Sequence, residues 1–182
     1  DFQVHDAWGI TWLDWSSGVL ITNSGHGHPE MIEAIRQMIN KPLLATYCFP
    51  HEGRARLAKM LAERAPAGLD KVFLISTGSE ATENCIKLAK TWGREQVGPQ
   101  KNVFVTFVNT FHGRTMGAQI AGGMADGKTW IGDLDPTFVQ VPFPDGFKNE
   151  NTDFSLFEST LADAGIAAAE VAGVMSETYQ GV

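Results

Sequence analysis

Hydrophobic residues change their spacing along the chain, and this change divides it into two parts. Before residue 69, the pattern predicts two short strands within residues 4–15, around a turn near Gly9, and then helices over 29–39 and 52–65. Beyond residue 69, short apolar runs alternate with helical stripes, which is typical of parallel strands joined by helices. We therefore expect an α/β protein with a mostly parallel sheet and helices on both faces, preceded by a short hairpin and helical segment.

The second part predicts a regular alternation of elements. Apolar runs predict four strands, at 72–75, 103–107, 138–141 and 171–175. A helix is expected to begin near Ser79 and to carry four residues on its buried side: Ala81, Cys85, Leu88 and Trp92. Glu83 and Lys87 lie toward the opposite side, where their i,i+4 spacing favours an ion pair. Asp153 is the predicted N-cap of a further helix.

Large apolar side chains in the first part are expected to be packing residues. Three tryptophans lie in or beside the predicted hairpin: Trp8, Trp12 and Trp15. Because aromatic rings bury a large apolar area, we expect them to cover a core and to set the hairpin register. The helix after Pro29 has four residues on one face: Met31, Ile35, Met38 and Ile39.

Composition narrows the class of protein. The chain has 182 residues, of which 43% are hydrophobic and 19% charged, so it is globular rather than disordered. Its net charge of −7 argues against a nucleic-acid or anionic-membrane partner, and no apolar run approaches the ~18 residues of a membrane span.

Two cysteines, Cys48 and Cys85, predict no disulfide framework. We expect a cytoplasmic protein. The chain lacks a starting Met and ends after an apolar run, so we expect a piece of a longer chain.

A turn shaped to bind phosphate follows the predicted strand at 72–75. Small hydroxyl residues and Gly78 lead directly into the helix near Ser79. Free N–H groups at a helix start, together with the helix dipole, bind anions. The alternative is a simple capped turn with Ser79 as the cap. The Walker and dinucleotide-binding glycine patterns are absent, which weakens both nucleotide interpretations.

Two other predicted strands are followed by side chains that are suited to binding or catalysis. Phe111 and His112 follow the strand at 103–107, and Glu177 follows the strand at 171–175. Phe111 either covers a flat heteroaromatic ring or packs in the core beneath its loop. Glu177 is better placed for a ligand or a catalytic partner than for core packing. Because parallel strands end at one edge, we expect a shared site there.

The chain resembles the class III (omega) aminotransferase family, which are pyridoxal-phosphate enzymes of fold type I. The resemblance covers essentially the whole length and rests on six segments: 6–14, 25–30, 49–52, 76–81, 111–115 and 177–181. It implies that Thr77, Gly78 and Ser79 hold the phosphate of pyridoxal 5'-phosphate. It also implies that Phe111 stacks on the pyridine ring, with His112 as its neighbour.

The resemblance also assigns residues beyond the phosphate turn and the ring. Glu177 matches the glutamate that supports the cofactor's hydrogen-bond network, although Thr178 replaces the family's usual proline. Tyr47 lies where the family often has a substrate-facing aromatic residue. Residues 1–45 would belong to the small domain and 46–182 to the first part of the large domain.

The resemblance implies that this chain holds no catalytic residue. The lysine that forms an aldimine with the cofactor, and the aspartate that pairs with the pyridine nitrogen, would lie beyond Val182. The eight lysines of the chain are expected on its surface. The intact enzyme would transfer an amino group between an amine or amino acid and a keto acid or aldehyde, as a dimer or larger assembly. The chain alone is expected to be inactive.

Alternative interpretations remain open. Three interpretations compete with the aminotransferase. The chain is a non-catalytic α/β phosphate-binding module, an assembly fragment that needs a complementary chain, or part of a decarboxylase or racemase that uses the same cofactor. His26 and His28 suggest a metal pair, but no third ligand is evident in the sequence, so we expect no metal site.

Overall fold

The predicted hairpin begins the computed structural model, which describes residues 2–42 and 48–181. Strands β1 (Gln3–His5) and β2 (Thr11–Leu13) pair in the antiparallel sense. The turn between them passes through Gly9, whose φ of 84° is accessible to glycine at little cost. Alternating polarity therefore predicted both strands and their turn.

Three helical elements follow in the first part of the chain. The first, α1 (Ser17–Leu20), is a single turn wound in the left-handed sense, with φ between 52° and 65° at all four residues. Helix α2 (Pro29–Ile39) has Pro at its first position, where the missing N–H costs nothing. Helix α3 spans Glu52–Arg64. The helices predicted over 29–39 and 52–65 are confirmed.

The first of two compact units, residues 1–71, has no buried residue among those described. Trp8 and Trp15 are 85% and 92% exposed, so the expectation that they cover a core is wrong in this structure. Trp12 is also exposed, but it lies opposite Val4 and contributes to the hairpin register. The apolar face of α2 is likewise exposed, because no described residue of this unit covers it.

The second unit, residues 72–182, contains the parallel sheet and the helices that flank it. Its elements are α4 (Gly78–Gln96), β3 (Val103–Phe107), α5 (Met116–Ala121), β4 (Phe138–Val141), α6 (Ser155–Asp163) and β5 (Val171–Val174). Short 3-10 helices lie at Asp126–Ile131 and Ala168–Glu170. The strand order is β4-β3-β5, and both neighbours run parallel to β3.

The two faces of β3 are covered by different helices. Its side chains alternate between the faces: Phe104 packs with Ile86 of α4 and Ala121 of α5, whereas Val105 packs with Leu161 of α6. A central strand covered on both sides explains the continuous apolar run that predicted it. The predicted fold class, α/β with a mostly parallel sheet and helices on both faces, is confirmed.

Two predictions about the secondary-structure elements of the second unit are wrong. The run 72–75 forms no strand, because no described strand pairs with it, and Phe73 is 69% exposed. Helix α4 also turns a different face to the sheet than its apolar stripe suggested. Its sheet-facing side carries Ile86 and Gly93, while the residues predicted as buried are all exposed: Ala81, Cys85, Leu88 and Trp92.

Two lysines expected on the surface are covered. Lys128 is 6% exposed, and its ammonium donates hydrogen bonds to the Ile120 carbonyl at 3.2 Å and to Oε1 of Gln140 at 3.0 Å. Lys90 lies 3.8 Å from the carboxylate of Asp135. Burial lowers the pKa of both lysines below the usual value.

Three further expectations concern the chain as a whole. Within residues 2–42 and 48–181, no helix is both long and apolar enough to cross a membrane. Cys48 and Cys85 are both free and exposed. The predicted domain boundary at 45/46 falls inside the unit of residues 1–71, and it stays a prediction.

Candidate functional site

The start of α4 presents free backbone amides beside open space. Thr77 is the N-cap, and its hydroxyl accepts a hydrogen bond from the N–H of Glu80 at 3.2 Å. Ser79, which sequence reasoning offered as a cap, instead lies inside the first turn. A Cβ built on Gly78 would meet no atom within 4 Å. The positive end of a 19-residue helix therefore begins beside open space, and such a helix end favours an anion.

The loop that carries Phe111 is held against this helix start. The hydroxyl oxygen of Ser79 accepts a hydrogen bond from the N–H of Arg114 at 3.1 Å. Gly113 has a φ of 129°, and a Cβ at this position would lie 2.9 Å from the Cα of Ser79. Only glycine satisfies both the backbone angle and this close approach.

The ring of Phe111 is 41% exposed, so it is not packed in the core beneath its loop. The guanidinium carbon of Arg114 lies 5.7 Å from the ring centroid, within the range of a cation–π contact. The loop that is hydrogen-bonded to the start of α4 thus carries an exposed aromatic ring and a guanidinium, which are groups suited to a flat ligand with an anionic group.

His112 is buried next to this exposed ring. It is 8% exposed, and its Nε2 has no hydrogen-bond partner among the described residues. Burial lowers the pKa of His112 below the usual value, because desolvation disfavours the charged form of the ring. Its backbone is anchored to α4, because the hydroxyl of Thr82 donates to the His112 carbonyl at 2.8 Å.

Glu83 forms a third link between α4 and the same loop. Its Oε1 accepts hydrogen bonds from the hydroxyl of Thr115 at 2.6 Å, the N–H of Gly117 at 2.8 Å and the N–H of Ala118 at 3.1 Å. This carboxylate thus caps the N-terminus of α5. The predicted solvent-facing role for Glu83, as the partner of Lys87, is wrong.

Glu177 lies just beyond β5, at the carboxyl edge of the sheet. Its Oε2 is buried and has no hydrogen-bond partner among the described residues. The segment that carries it is joined to the end of β3, because the side-chain amide of Gln180 donates to the Val108 carbonyl at 2.7 Å. An unsatisfied buried carboxylate oxygen is costly, so this atom is available to a donor supplied by a ligand.

The remaining sequence candidates lie elsewhere or outside the description. Tyr47 is outside the described residues. Nε2 of His26 donates to the carboxylate of Asp14 at 2.7 Å, and His28 is the N-cap of α2. Within the described ranges, no group of three His, Cys, Asp or Glu residues is placed to hold a metal ion.

A separate apolar cavity of about 310 Å³ lies where α6 meets the ends of the strands. Phe107, Pro142 and Phe157 are among the residues that line it. Because its lining is mostly apolar and includes the carboxylate of Asp153, this cavity does not compete with the α4 N-terminus as an anion site.

The sequence predicts Ser79 as a phosphate ligand or cap and Glu83 on the solvent side, but it does not predict the link that they form with Thr82 between α4 and the loop after β3. Ser79, Thr82 and Glu83 share one side of the first two turns of α4, at i, i+3 and i+4. All three bind the backbone of the loop after β3. Their common helix face is a signal in the sequence, but the loop that they would meet is not apparent from spacing.

The fold and the site define a class: an α/β domain that presents a helix N-terminus and an exposed aromatic ring beyond the carboxyl end of a parallel strand. Such an arrangement is typical of proteins that bind a phosphorylated ring compound. The chain belongs to the class-III aminotransferase family, whose model matches residues 2–182. Enzymes of this family depend on pyridoxal 5'-phosphate.

Curated relatives and solved structures agree with this assignment. An acetylornithine aminotransferase of Caldanaerobacter subterraneus subsp. tengcongensis is 34% identical over 143 residues, which cover 79% of this chain and 36% of the relative. The acetylornithine aminotransferase of Halalkalibacterium halodurans is 33% identical over 169 residues, which cover 90% of this chain and 42% of that relative. The crystal structure of an (S)-enantioselective omega-transaminase from Thermomicrobium roseum matches with a TM-score of 0.86 and 27% identity, covering 98% and 42%. The chain thus spans about two-fifths of the length of these proteins.

Proposed function

We propose that this chain forms the cofactor-binding part of a pyridoxal-phosphate-dependent aminotransferase. The observation that carries the proposal is the contact between Ser79 and the loop of Gly113 and Arg114, because this contact joins the start of α4 to the loop that carries the exposed Phe111. Phosphate and pyridine ring are joined by one methylene group in the cofactor, so a protein must present the two binding elements side by side.

The residues present fit this cofactor in three ways. No side chain or backbone atom lies within 4 Å of a Cβ built on Gly78, so nothing there obstructs a phosphate, whose charge is favoured by the helix dipole. Ser79 already accepts from Arg114, so its own hydroxyl hydrogen is free to be donated to a phosphate oxygen. The buried, unpartnered atoms of His112 and Glu177 are polar groups that a bound ligand with donors and acceptors would satisfy.

The cofactor, when bound, supplies the electron sink that allows an amino group to move between carbon skeletons. In our proposal, this chain contributes binding and orientation. Thr77 keeps the helix start in shape by accepting from Glu80, the amides at Gly78 and Ser79 hold the phosphate, and Phe111 covers the ring.

The proposed substrates are an amine or amino acid as donor and a keto acid or aldehyde as acceptor. The named relatives act on acetylornithine, whereas the structural neighbour is an omega-transaminase, so the class of reaction is better supported than one substrate. We also propose a cytoplasmic protein that acts as a dimer or larger assembly, and that residues 1–182 alone do not complete the reaction.

Cofactor binding by the chain tests this proposal. Titration of the chain with pyridoxal 5'-phosphate, followed by tryptophan fluorescence, is expected to saturate. Pyridoxal, which lacks the phosphate, is expected to bind at least tenfold more weakly, since hydrogen bonds to a charged group contribute strongly. Phe111→Leu should weaken binding, whereas Phe147→Leu, at a ring that is 87% exposed, should leave it unchanged. No saturable binding, or equal affinity for both compounds, would contradict the proposal.

A further inference from the structure

The first two turns of α4 hold the loop of residues 111–118 by side chains alone. Ser79 accepts from Arg114, Thr82 donates to the His112 carbonyl, and Glu83 accepts from three donors. The helix that carries the phosphate-binding amides and the loop that carries the ring-facing Phe111 are therefore joined at three successive points.

Glu83 makes the strongest of these connections. Helix α5 has Thr115 as its N-cap, yet the Thr115 side chain does not cap its own helix and donates to Glu83 instead. The carboxylate then accepts from the second and third amides of α5, at Gly117 and Ala118. A negative charge at a helix N-terminus gains both from charge-assisted hydrogen bonds and from the dipole.

The sequence around Gly117 is matched to this carboxylate. A Cβ built at Gly117 would collide with Oε2 of Glu83 and would lie 3.0 Å from its Cδ. Glycine at this position lets the carboxylate approach the α5 amides. The close fit indicates that Glu83 contributes specifically to the position of the loop relative to α4, in addition to the links made by Ser79 and Thr82.

We propose that Glu83 is a positioning residue for the cofactor site, and this inference rests on the proposed function. Glu83 does not contact the cofactor. It fixes the loop so that Phe111 lies over the ring while the phosphate is held at Gly78 and Ser79. Its loss therefore weakens recognition of the ring and leaves the phosphate site intact.

The test compares two probes, pyridoxal 5'-phosphate and inorganic phosphate as a competitor, on the unsubstituted chain, Glu83→Gln and the control Glu95→Gln. Glu95 is exposed near the other end of the same helix, so the control removes the same charge. Glu83→Gln is expected to weaken pyridoxal 5'-phosphate binding roughly five- to tenfold, the worth of one aromatic stacking contact. Phosphate affinity should stay within about twofold, and Glu95→Gln should change neither.

A second variant and a second readout guard against a folding defect. Thr115→Val removes only one donor to Glu83 and should produce a smaller change in the same direction. Hydrogen exchange of the amides of 111–118 should accelerate in Glu83→Gln and not in Glu95→Gln. Equal loss for both probes, or no change in either, would overturn the inference. If the unsubstituted chain does not bind pyridoxal 5'-phosphate, the proposed function fails and this inference with it.

Discussion

The Ser79 hydroxyl oxygen accepts the N–H of Arg114 across 3.1 Å, although 35 residues separate the two in the chain. This contact uses one of the two lone pairs of the hydroxyl oxygen and leaves the hydroxyl hydrogen free to be donated elsewhere. The same serine therefore fastens the loop and keeps a donor free at the helix start. A change at Ser79 should affect both roles.

Ser79→Ala removes the acceptor for Arg114 and the proposed donor to phosphate. We expect affinity for pyridoxal 5'-phosphate to fall roughly ten- to a hundredfold, because a hydrogen bond to a charged group is lost. Equilibrium dialysis measures this change. Ser159→Ala, at an exposed serine on α6, serves as the control and should bind normally. Unchanged affinity in Ser79→Ala would remove Ser79 from the site.

Gly113→Ala should be strongly destabilising, because the new methyl group would collide with Ser79 at a φ of 129°. We expect a loss of about 2–4 kcal/mol in the free energy of unfolding. Gly165→Ala isolates the backbone cost, since φ there is 71° and a Cβ would meet no atom within 4 Å. That control should lose only about 1 kcal/mol. Urea denaturation compares them, and similar losses would mean that the close approach is not tight.

Burial of His112 makes stability depend on pH in a defined direction. Its pKa is lowered in the folded chain, so the unfolded chain binds a proton first as the pH falls below about 6.5. The contribution of neutral His112 to the free energy of unfolding is therefore fully present above that pH. It is lost as the pH falls toward the lower pKa of the folded chain. We expect the melting temperature to fall between about pH 7 and pH 5, and to fall less in His112→Gln. His5→Gln, at an exposed residue, should retain the slope of the parent chain.

Asp14 supports the left-handed turn α1, and we expect replacement of Asp14 by asparagine to weaken that support. Its carboxylate accepts from the N–H and hydroxyl of Ser16, the N–H of Gly18 and Nε2 of His26. The Ser16 hydroxyl, followed by His26, lowers the pKa of Asp14 to about 2.

Asp14→Asn retains one acceptor oxygen, so we expect a lower melting temperature and faster hydrogen exchange at residues 16–21. Because the folded pKa is depressed, the advantage of the parent chain should be present above about pH 4 and disappear as the pH falls through about 2. Asp133→Asn is an exposed control. An equal melting temperature in Asp14→Asn and the parent at pH 7 would show that the turn is held by its backbone alone.

Most elements could be predicted from local pattern. Period-two and period-3.6 spacing identified β1, β2, α2, α3 and the three strands of the parallel sheet, because those periods reflect backbone geometry. The short helix α5 was missed, since six residues carry too little periodicity and its cap comes from Glu83, 33 residues before its first residue. The prediction of a strand at 72–75 was wrong because a local apolar run is not sufficient: a strand also requires a neighbouring strand to pair with.

In the candidate site, too, local features could be predicted from the sequence, whereas contacts between distant segments could not. The sequence of this protein by itself determined that a helix begins near Ser79, that Phe111 follows a buried strand, and that the motifs resemble one family, since each depends on neighbours along the chain. Only the tertiary structure decided that Ser79, Thr82 and Glu83 face the loop of Phe111, and that the stripe of Cys85, Leu88 and Trp92 faces outward. Hydrophobicity shows which side of a helix avoids water, but the sheet that covers α4 is assembled from segments distant in the chain, and their positions decide which side is covered.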